Sequence, residues 1–279
     1  ISATGASADV IISAEATSNS LGGALTTGDL NADGKVDLVV GAVNYSTNTG
    51  RTYIFYNGSI TTENASGADV IITGNATGEY FGESLTTGDL NADGEVDLVV
   101  GTSFYTTNTG RVYIFYNGSI TTEASSGADV IISGQTTTNS FGVSLATGDL
   151  NADGKVDLVV GAYQYSTSSG RVYIFYADGT SNFGTATCSG TPAACAAANA
   201  DILITGEATS NFLGTAVATG DLNADGKVDL VAGARNYTTA TGRVYIFYNG
   251  SITTEAASGA DVIITGETTS TRFGDSLTI

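Results

Sequence analysis

The 279-residue chain carries 9 Lys and Arg against 28 Asp and Glu, a formal charge of −19, and contains no His. A surface that negative repels nucleic-acid phosphates and anionic lipid heads, and the lack of imidazole removes the commonest general base, which weighs against nucleic-acid partners and most enzyme chemistry. Hydrophobic residues at 42% against 13% charged ones exclude a disordered composition, and no apolar run reaches the ~20 residues of a membrane span.

The chain opens on Ile1-Ser2-Ala3-Thr4, with neither an initiator Met nor a basic and apolar leader, and reads as a processed product. Thirty-seven Gly, a single Pro and many runs of Val, Ile, Thr and Tyr predict short strands joined by tight turns. The first predicted strand is 9–13. After it the chain repeats itself: Gly-Asp-Leu recurs at Gly28, Gly88, Gly148 and Gly220, spaced 60, 60 and 72 residues apart, and Ala-Asp before an apolar run recurs at Ala8, Ala68, Ala128, Ala200 and Ala260. The period divides residues 1–279 into one array, with repeats at about 1–60, 61–120, 121–192 and 193–251 and a partial one at 252–279.

Within a unit the predicted order is an apolar run (70–72), a Gly-flanked run (81–85), an acidic loop, a third run (96–101) and an aromatic run (111–116), which makes four strands per repeat. In the last run Val112, Ile114 and Tyr116 face one way while Tyr113 and Phe115 face the other, so both faces are apolar. A sheet apolar on both faces lies between two neighbours. The expectation is an all-β, propeller-like array of four-stranded antiparallel blades, four complete and partial at both ends; a stacked solenoid or a row of sandwiches is the alternative.

The acidic loop carries the chemistry. It reads Asp29, Asn31, Asp33, Lys35, Asp37 on alternate positions, then Asp89, Asn91, Asp93, Glu95, Asp97, then Asp149, Asn151, Asp153, Lys155, Asp157, and last Asp221, Asn223, Asp225, Lys227, Asp229. Side-chain oxygens at positions 1, 3, 5 and 9, with a Gly at position 6 for the turn, suit a hard cation such as Ca²⁺. Position 7 would offer only its backbone carbonyl, which accounts for Lys and Glu alternating there. The bidentate Glu that closes an EF-hand at position 12 is replaced by Val40, inside a strand. About four calcium ions are expected, one per complete repeat; the alternative is an ion-free turn of the Asx type.

These residues resemble the FG-GAP repeats of integrin-alpha-type β-propellers. Phe-Gly stands at Phe81-Gly82, Phe141-Gly142 and Phe273-Gly274, with Leu21-Gly22 and Leu213-Gly214 as variants, and Gly41-Ala42, Gly101-Thr102, Gly161-Ala162 and Gly233-Ala234 partly keep the Gly-Ala-Pro turn. The resemblance implies a propeller fold, calcium in each hairpin loop, and a role outside the cell in adhesion, matrix or sugar binding. In the family's strand order the Phe-Gly strand is innermost, so this chain is expected to begin on an orphan outer strand (9–13) and to end on an orphan inner one (273–279). Unpaired strands are templates for pairing with another chain.

Seven Asn-x-Ser/Thr sequons, at Asn44, Asn57, Asn64, Asn75, Asn117, Asn236 and Asn249, point to an exported glycoprotein, and the turn after the aromatic strand, holding Asn57, Asn117 and Asn249, is the expected carrier. The only two cysteines, Cys188 and Cys195, fall in a 12-residue insertion of the third repeat and suit either a disulfide or free thiols. Arg51, Arg111, Arg171 and Arg243 open the aromatic strands and are read as pairing with local carboxylates; Tyr45, Tyr105, Tyr165 and Tyr237 suit either blade packing or stacking on sugar. Carboxylates outside the loops, among them Glu15, Glu79, Glu83, Glu207, Glu267 and Asp275, form no convergent pattern, so glycoside hydrolysis is a remote alternative and no catalytic residue is assigned. The functional expectation is an extracellular, secreted or cell-surface, calcium-stabilised structural or adhesive protein. It is expected to be glycosylated and to assemble with itself head to tail into a filament, without membrane insertion. The alternatives are a carbohydrate-binding or protein-binding propeller module, or a fragment of a larger surface protein.

Overall fold

A computed structural model describes residues 8–179, 188, 190 and 192–279. Four antiparallel sheets follow one another along the chain. The second shows the common plan: Ser84–Gly88 pairs with Asp97–Thr102, that strand with Arg111–Phe115, and that one with Val130–Ser133, so that Gly101 faces Ser84 on one side and Val112 on the other. The first sheet is built from Leu21–Gly28, Asp37–Ala42, Arg51–Phe55 and Val70–Thr73, the third from Ser144–Gly148, Asp157–Ala162, Arg171–Phe175 and Ile202–Thr205. The fourth is Leu213–Gly220, Asp229–Ala234, Arg243–Phe247 and Val262–Thr265. The all-β blade architecture is as expected from the sequence; the blades form an open row and do not close a ring.

Two features depart from the expectation. The first three blades gain a fifth strand, parallel to the outer one and donated by a later repeat: Glu123–Ala124 lies beside Ile72–Thr73, Ala193–Ala196 beside Val130–Ser133, and Glu255–Ala256 beside Ile204–Thr205. The strand at the amino end is also not orphaned, because Ile12–Ser13 pairs with Glu63–Asn64 in the same parallel manner. At the other end only Phe273 is bridged, to Gly242.

Alternation along the strands fills both faces. Between the first two blades, Val39, Ile54, Val70 and Ile72 of one meet Leu98, Val100, Tyr113 and Phe115 of the next. Tyr53, Tyr113, Tyr173 and Tyr245 and the four phenylalanines two positions on are fully buried. Each such ring is worth about 1.5–3 kcal/mol, so the blade junctions are chiefly apolar. Near the inner strands a threonine ladder crosses from blade to blade: Thr87 Oγ1 donates to the Thr27 carbonyl at 2.8 Å, Thr147 to Thr87 at 2.8 Å, and Thr219 to Thr147 at 2.7 Å.

The glycine pattern has a packing cause. A Cβ on Gly41 would run into the carbonyl oxygen of Gly82 in the next repeat, and one on Gly101 into that of Gly142. The second and third strands are joined by a left-handed turn at non-glycine residues, Ser46 (φ 44°), Thr47 (φ 57°) and Asn48 (φ 63°), repeated in every blade. Such residues cost about 1–2 kcal/mol each. The turn is held by Gly50 N–H donating to the Tyr45 carbonyl at 3.1 Å, and from the next blade by Tyr80 N–H donating to Asn48 at 2.8 Å.

Candidate metal centres

Each acidic loop joins the inner strand to the second strand. Its backbone is folded onto its own carboxylates: Asp33 N–H donates to Asp29 Oδ1 at 3.1 Å, Gly34 N–H to Asp29 Oδ2 at 2.8 Å, and Lys35 N–H to Asp33 Oδ1 at 2.9 Å. The loop of the second blade repeats the bonds with Glu95 in place of lysine, at 3.0, 2.9 and 2.9 Å. Position 7 thus contributes a backbone N–H whichever residue stands there, and where it is lysine its side chain also pairs within the loop, Lys35 Nζ lying 3.5 Å from Asp33 Oδ2 and Lys155 Nζ 3.9 Å from Asp153 Oδ2. Positions 1 and 3 are half-buried or exposed and position 5 is exposed, whereas position 9 is buried: Asp37, Asp97, Asp157 and Asp229 are at most 1% exposed. Asp37 accepts Leu30 N–H at 2.9 Å and Asn57 N–H at 2.8 Å, one on each oxygen.

Two of these carboxylates, Asp97 and Asp157, are electrostatically unfavourable as they stand. Burial pushes the Asp97 carboxyl up to about 6, against two backbone donors that oppose it, with the charges of Asp93 and Asp89 adding to the rise. Asp157 is pushed up to about 7 in the same way, with Asp153 and Asp149 as its neighbours. Among the described residues no three carboxylates converge on one point; the Asx-type closure described above is what the loops adopt. The donor chemistry nonetheless fits a hard divalent cation. All ligating atoms are oxygens, and a carboxylate oxygen that accepts one N–H keeps a second lone pair.

Other predicted residues fall into two further groups. The arginines form a station at the rim of each blade: Arg51 donates to Glu15 Oε1 at 2.9 Å and to Thr73 Oγ1 at 2.9 Å, and Tyr53 Oη donates to the same glutamate oxygen at 2.9 Å. Glu207 serves Arg243 and Tyr245 alike, and Gln135 serves Arg171 and Tyr173. In the second blade Asn75 stands where the others have Glu or Gln, and Glu79 bonds Tyr113 instead; Ser133 stands opposite Arg111 where the other arginines give Nε to Thr73, Thr205 or Thr265, and Arg111 Nε is buried without a hydrogen bond. The tyrosines of the left-handed turns lie under the guanidinium groups, so Tyr45, Tyr105, Tyr165 and Tyr237 are platforms for arginine. The local pairing of the arginines was expected from the sequence; which residues they pair with was not. The signal for those partners was the constant 36-residue separation of Glu15 from Arg51, Gln135 from Arg171 and Glu207 from Arg243.

The sequon turn after the aromatic strand is not uniformly exposed. Asn57 is, but Asn117 Nδ2 donates to the carbonyls of Val96, at 3.2 Å, and of Asp29 in the preceding loop, at 3.1 Å. Asn249 does the same to Val228 at 3.2 Å and Asp149 at 3.3 Å. A sugar on either nitrogen would leave one N–H for two carbonyls, which corrects the expectation that this turn is the natural carrier. Asn44, Asn64 and Asn236 also spend their amide nitrogens, on Ser20, Ala14 and Ser210, while Asn75 is exposed at the rim. Cys188 and Cys195 form a disulfide with Cα atoms 4.9 Å apart. No helix among the described residues is long and apolar enough to cross a membrane.

Comparison with known proteins places these features. The FG-GAP repeat matches at residues 21–55, 81–115, 141–175 and 213–247, each match running from the inner strand to the end of the aromatic one. The chain is 36% identical over 167 residues to integrin alpha-PS2 of Drosophila melanogaster, 56% of this chain and 11% of that protein. It is 38% identical over 155 residues to the phosphatidylinositol-glycan-specific phospholipase D of Bos taurus, 51% of this chain and 18% of that one. To integrin alpha-3 of Cricetulus griseus it is 35% identical over 111 residues, covering 38% and 10%. The matched stretch thus spans less than a fifth of each of these relatives.

Proposed function

Because the chain belongs to the FG-GAP repeat family, with four repeats over about half its length, we propose that it is an extracellular, calcium-stabilised structural or adhesive module that joins copies of itself end to end. One repeat type occurs in relatives named as integrins and as a phospholipase, which favours a scaffold or binding role for the repeat over a catalytic one. Calcium would be held by Asp29, Asn31, Asp33, the Lys35 carbonyl and Asp37, and by the equivalent residues of the other three loops. A bound cation supplies the positive charge that the buried Asp97 and Asp157 lack. The chain's own part is to hold these oxygens through the backbone bonds of the loop. Asn57 and Asn75 are the favoured carriers of N-linked sugar, since both are exposed while the amide nitrogens of Asn44, Asn64, Asn117, Asn236 and Asn249 are engaged.

The observation that carries self-association is a contrast in burial between equivalent residues. Leu30, Leu90 and Leu150 are at most 2% exposed, whereas Leu222 in the last blade is 41% exposed; Ile72, Ile132 and Ile204 are fully buried, whereas Ile264 is 43% exposed. On the opposite face Leu25 is 61% and Val36 57% exposed, where Leu85 and Val96 pack into the first junction. The two end faces are therefore the two halves of a junction that the chain already builds three times. Each end carries a single-strand stand-in for the missing neighbour: Ile12–Ser13 occupies the place of an outer strand, and Ile279 lies against Gly220 as Val96 lies against Gly28. Joining two copies requires Leu21–Gly28 of one to take the place of 273–279 of the other.

Sedimentation velocity of the calcium-loaded chain tests this. Association that grows with concentration and is abolished by Leu25→Asp with Val36→Asp supports the reading; a monomer at every concentration overturns it.

A further inference from the structure

Asn117 and Asn249 occupy a place that no single loop explains. The backbone N–H of Asn117 donates to Asp97 Oδ1 at 3.0 Å, and its side-chain amide donates to the Val96 carbonyl at 3.2 Å, so the residue is fixed by the loop of its own blade. Its second amide bond, at 3.1 Å, reaches the carbonyl of Asp29, which is the first residue of the preceding loop. Asn249 makes the same three contacts, to Asp229 Oδ1 at 2.9 Å, to Val228 at 3.2 Å and to Asp149 at 3.3 Å. In the third blade the position is Ala177, whose N–H reaches Asp157 Oδ1 at 3.0 Å but which has no side chain to cross to the second loop. In the first blade it is Asn57, which is exposed.

We infer that Asn117 and Asn249 are positioning residues that couple the cation loops in two pairs, the first with the second and the third with the fourth, while the second and third act independently. The inference rests on the calcium reading above. Filling the second loop fixes Asp97 and Val96, and with them Asn117, which then holds the Asp29 backbone in the place its carboxylate needs. The reverse holds equally, because coupling between two sites is reciprocal. One or two neutral hydrogen bonds limit the effect to a few-fold, at most about tenfold, in affinity.

The test is calcium calorimetry on chains with two competent loops. Asp153→Ala with Asp225→Ala leaves the first and second loops; Asp33→Ala with Asp225→Ala leaves the second and third. The first-and-second chain is expected to bind two calcium ions with positive coupling of a few-fold, and the second-and-third chain to bind two independently. Asn117→Ala should make the first pair independent while leaving the average affinity within a few-fold. Ala177→Asn should create coupling in the second pair, a gain that a general loss of packing cannot produce and that is informative even if Asn117→Ala folds poorly. Equal, independent binding in both chains overturns the coupling and leaves the calcium reading intact. Absence of any calcium uptake by the unmutated chain overturns the calcium reading, and the coupling with it.

Discussion

The guanidinium carbon of Arg243 lies 3.5 Å above the centre of the Tyr237 ring while the same group contacts Glu207 at 3.1 Å. Aromatic face and carboxylate thus grip one cation from two directions, at the rim of a blade where Tyr237 belongs to the left-handed turn and Glu207 to the loop after the third blade's outer strand. The Arg243 and Glu207 side chains are only 17% and 21% exposed, so solvent competes weakly for the contact.

Arg243→Ala should therefore lower stability by about 2–4 kcal/mol, combining a lost cation–π contact with an unpaired, largely desolvated glutamate. Arg243→Lys should recover part of this, because lysine keeps the charge and loses the planar stack. Urea unfolding of both variants checks the order; equal loss in both would contradict the stacking role.

The third blade has an uncharged partner at this station, with Gln135 Oε1 accepting from Arg171 at 3.2 Å and Tyr173 at 2.9 Å. Gln135→Glu should stabilise the chain by about 0.5–1 kcal/mol at neutral pH, since the geometry is in place and only the charge is added. The gain should vanish as the pH is lowered through the carboxylate range.

Gly161→Ala should cost about 1–3 kcal/mol, the usual range for overpacking, because the added Cβ meets the Gly214 carbonyl and the Ser144 hydroxyl. Gly154→Ala, in open space but at φ +86°, should be costly for a different reason, the left-handed backbone. Hydrogen exchange separates the two: the first should loosen the junction between the third and fourth blades, the second only its own loop.

Acid titration distinguishes the metal-free from the calcium-loaded protein. Burial pushes the folded Asp97 and Asp157 carboxyls up to about 6 and about 7, above the ~3.9 of an unfolded aspartate. The native state therefore binds more protons than the unfolded one between those values, and metal-free stability falls as the pH rises from about 4 to about 7. With calcium bound the slope reverses, because protons then compete with the cation for the same oxygens. Urea midpoints of metal-stripped and calcium-loaded protein at pH 5 and pH 8 should move in opposite directions.

Much of this was legible in the sequence because repetition exposes it. The 60-residue spacing, the doubly apolar strands and the acidic loops are each present four times, so chance alternation is averaged away. What escaped was carried by contacts between repeats. Glu123–Ala124 is too short and too polar to read as a strand, and it forms only because Ile72–Thr73 offers an open edge. Asn117 read as a sequon, since nothing local announces that its amide crosses to Asp29, 88 residues away. The left-handed turn at Ser46, Thr47 and Asn48 contains no glycine to signal it, and is sustained by Tyr80 of the following repeat.

The most direct test of the account is the thermal unfolding midpoint of the chain, stripped of metal and then saturated with calcium. Four ions bound at a hundredfold excess over their dissociation constants would each add about 2.7 kcal/mol, and for a chain of this size the midpoint should rise on the order of 20 °C. A midpoint that does not move on adding calcium would contradict the claim that the four loops are cation sites that lock the blades.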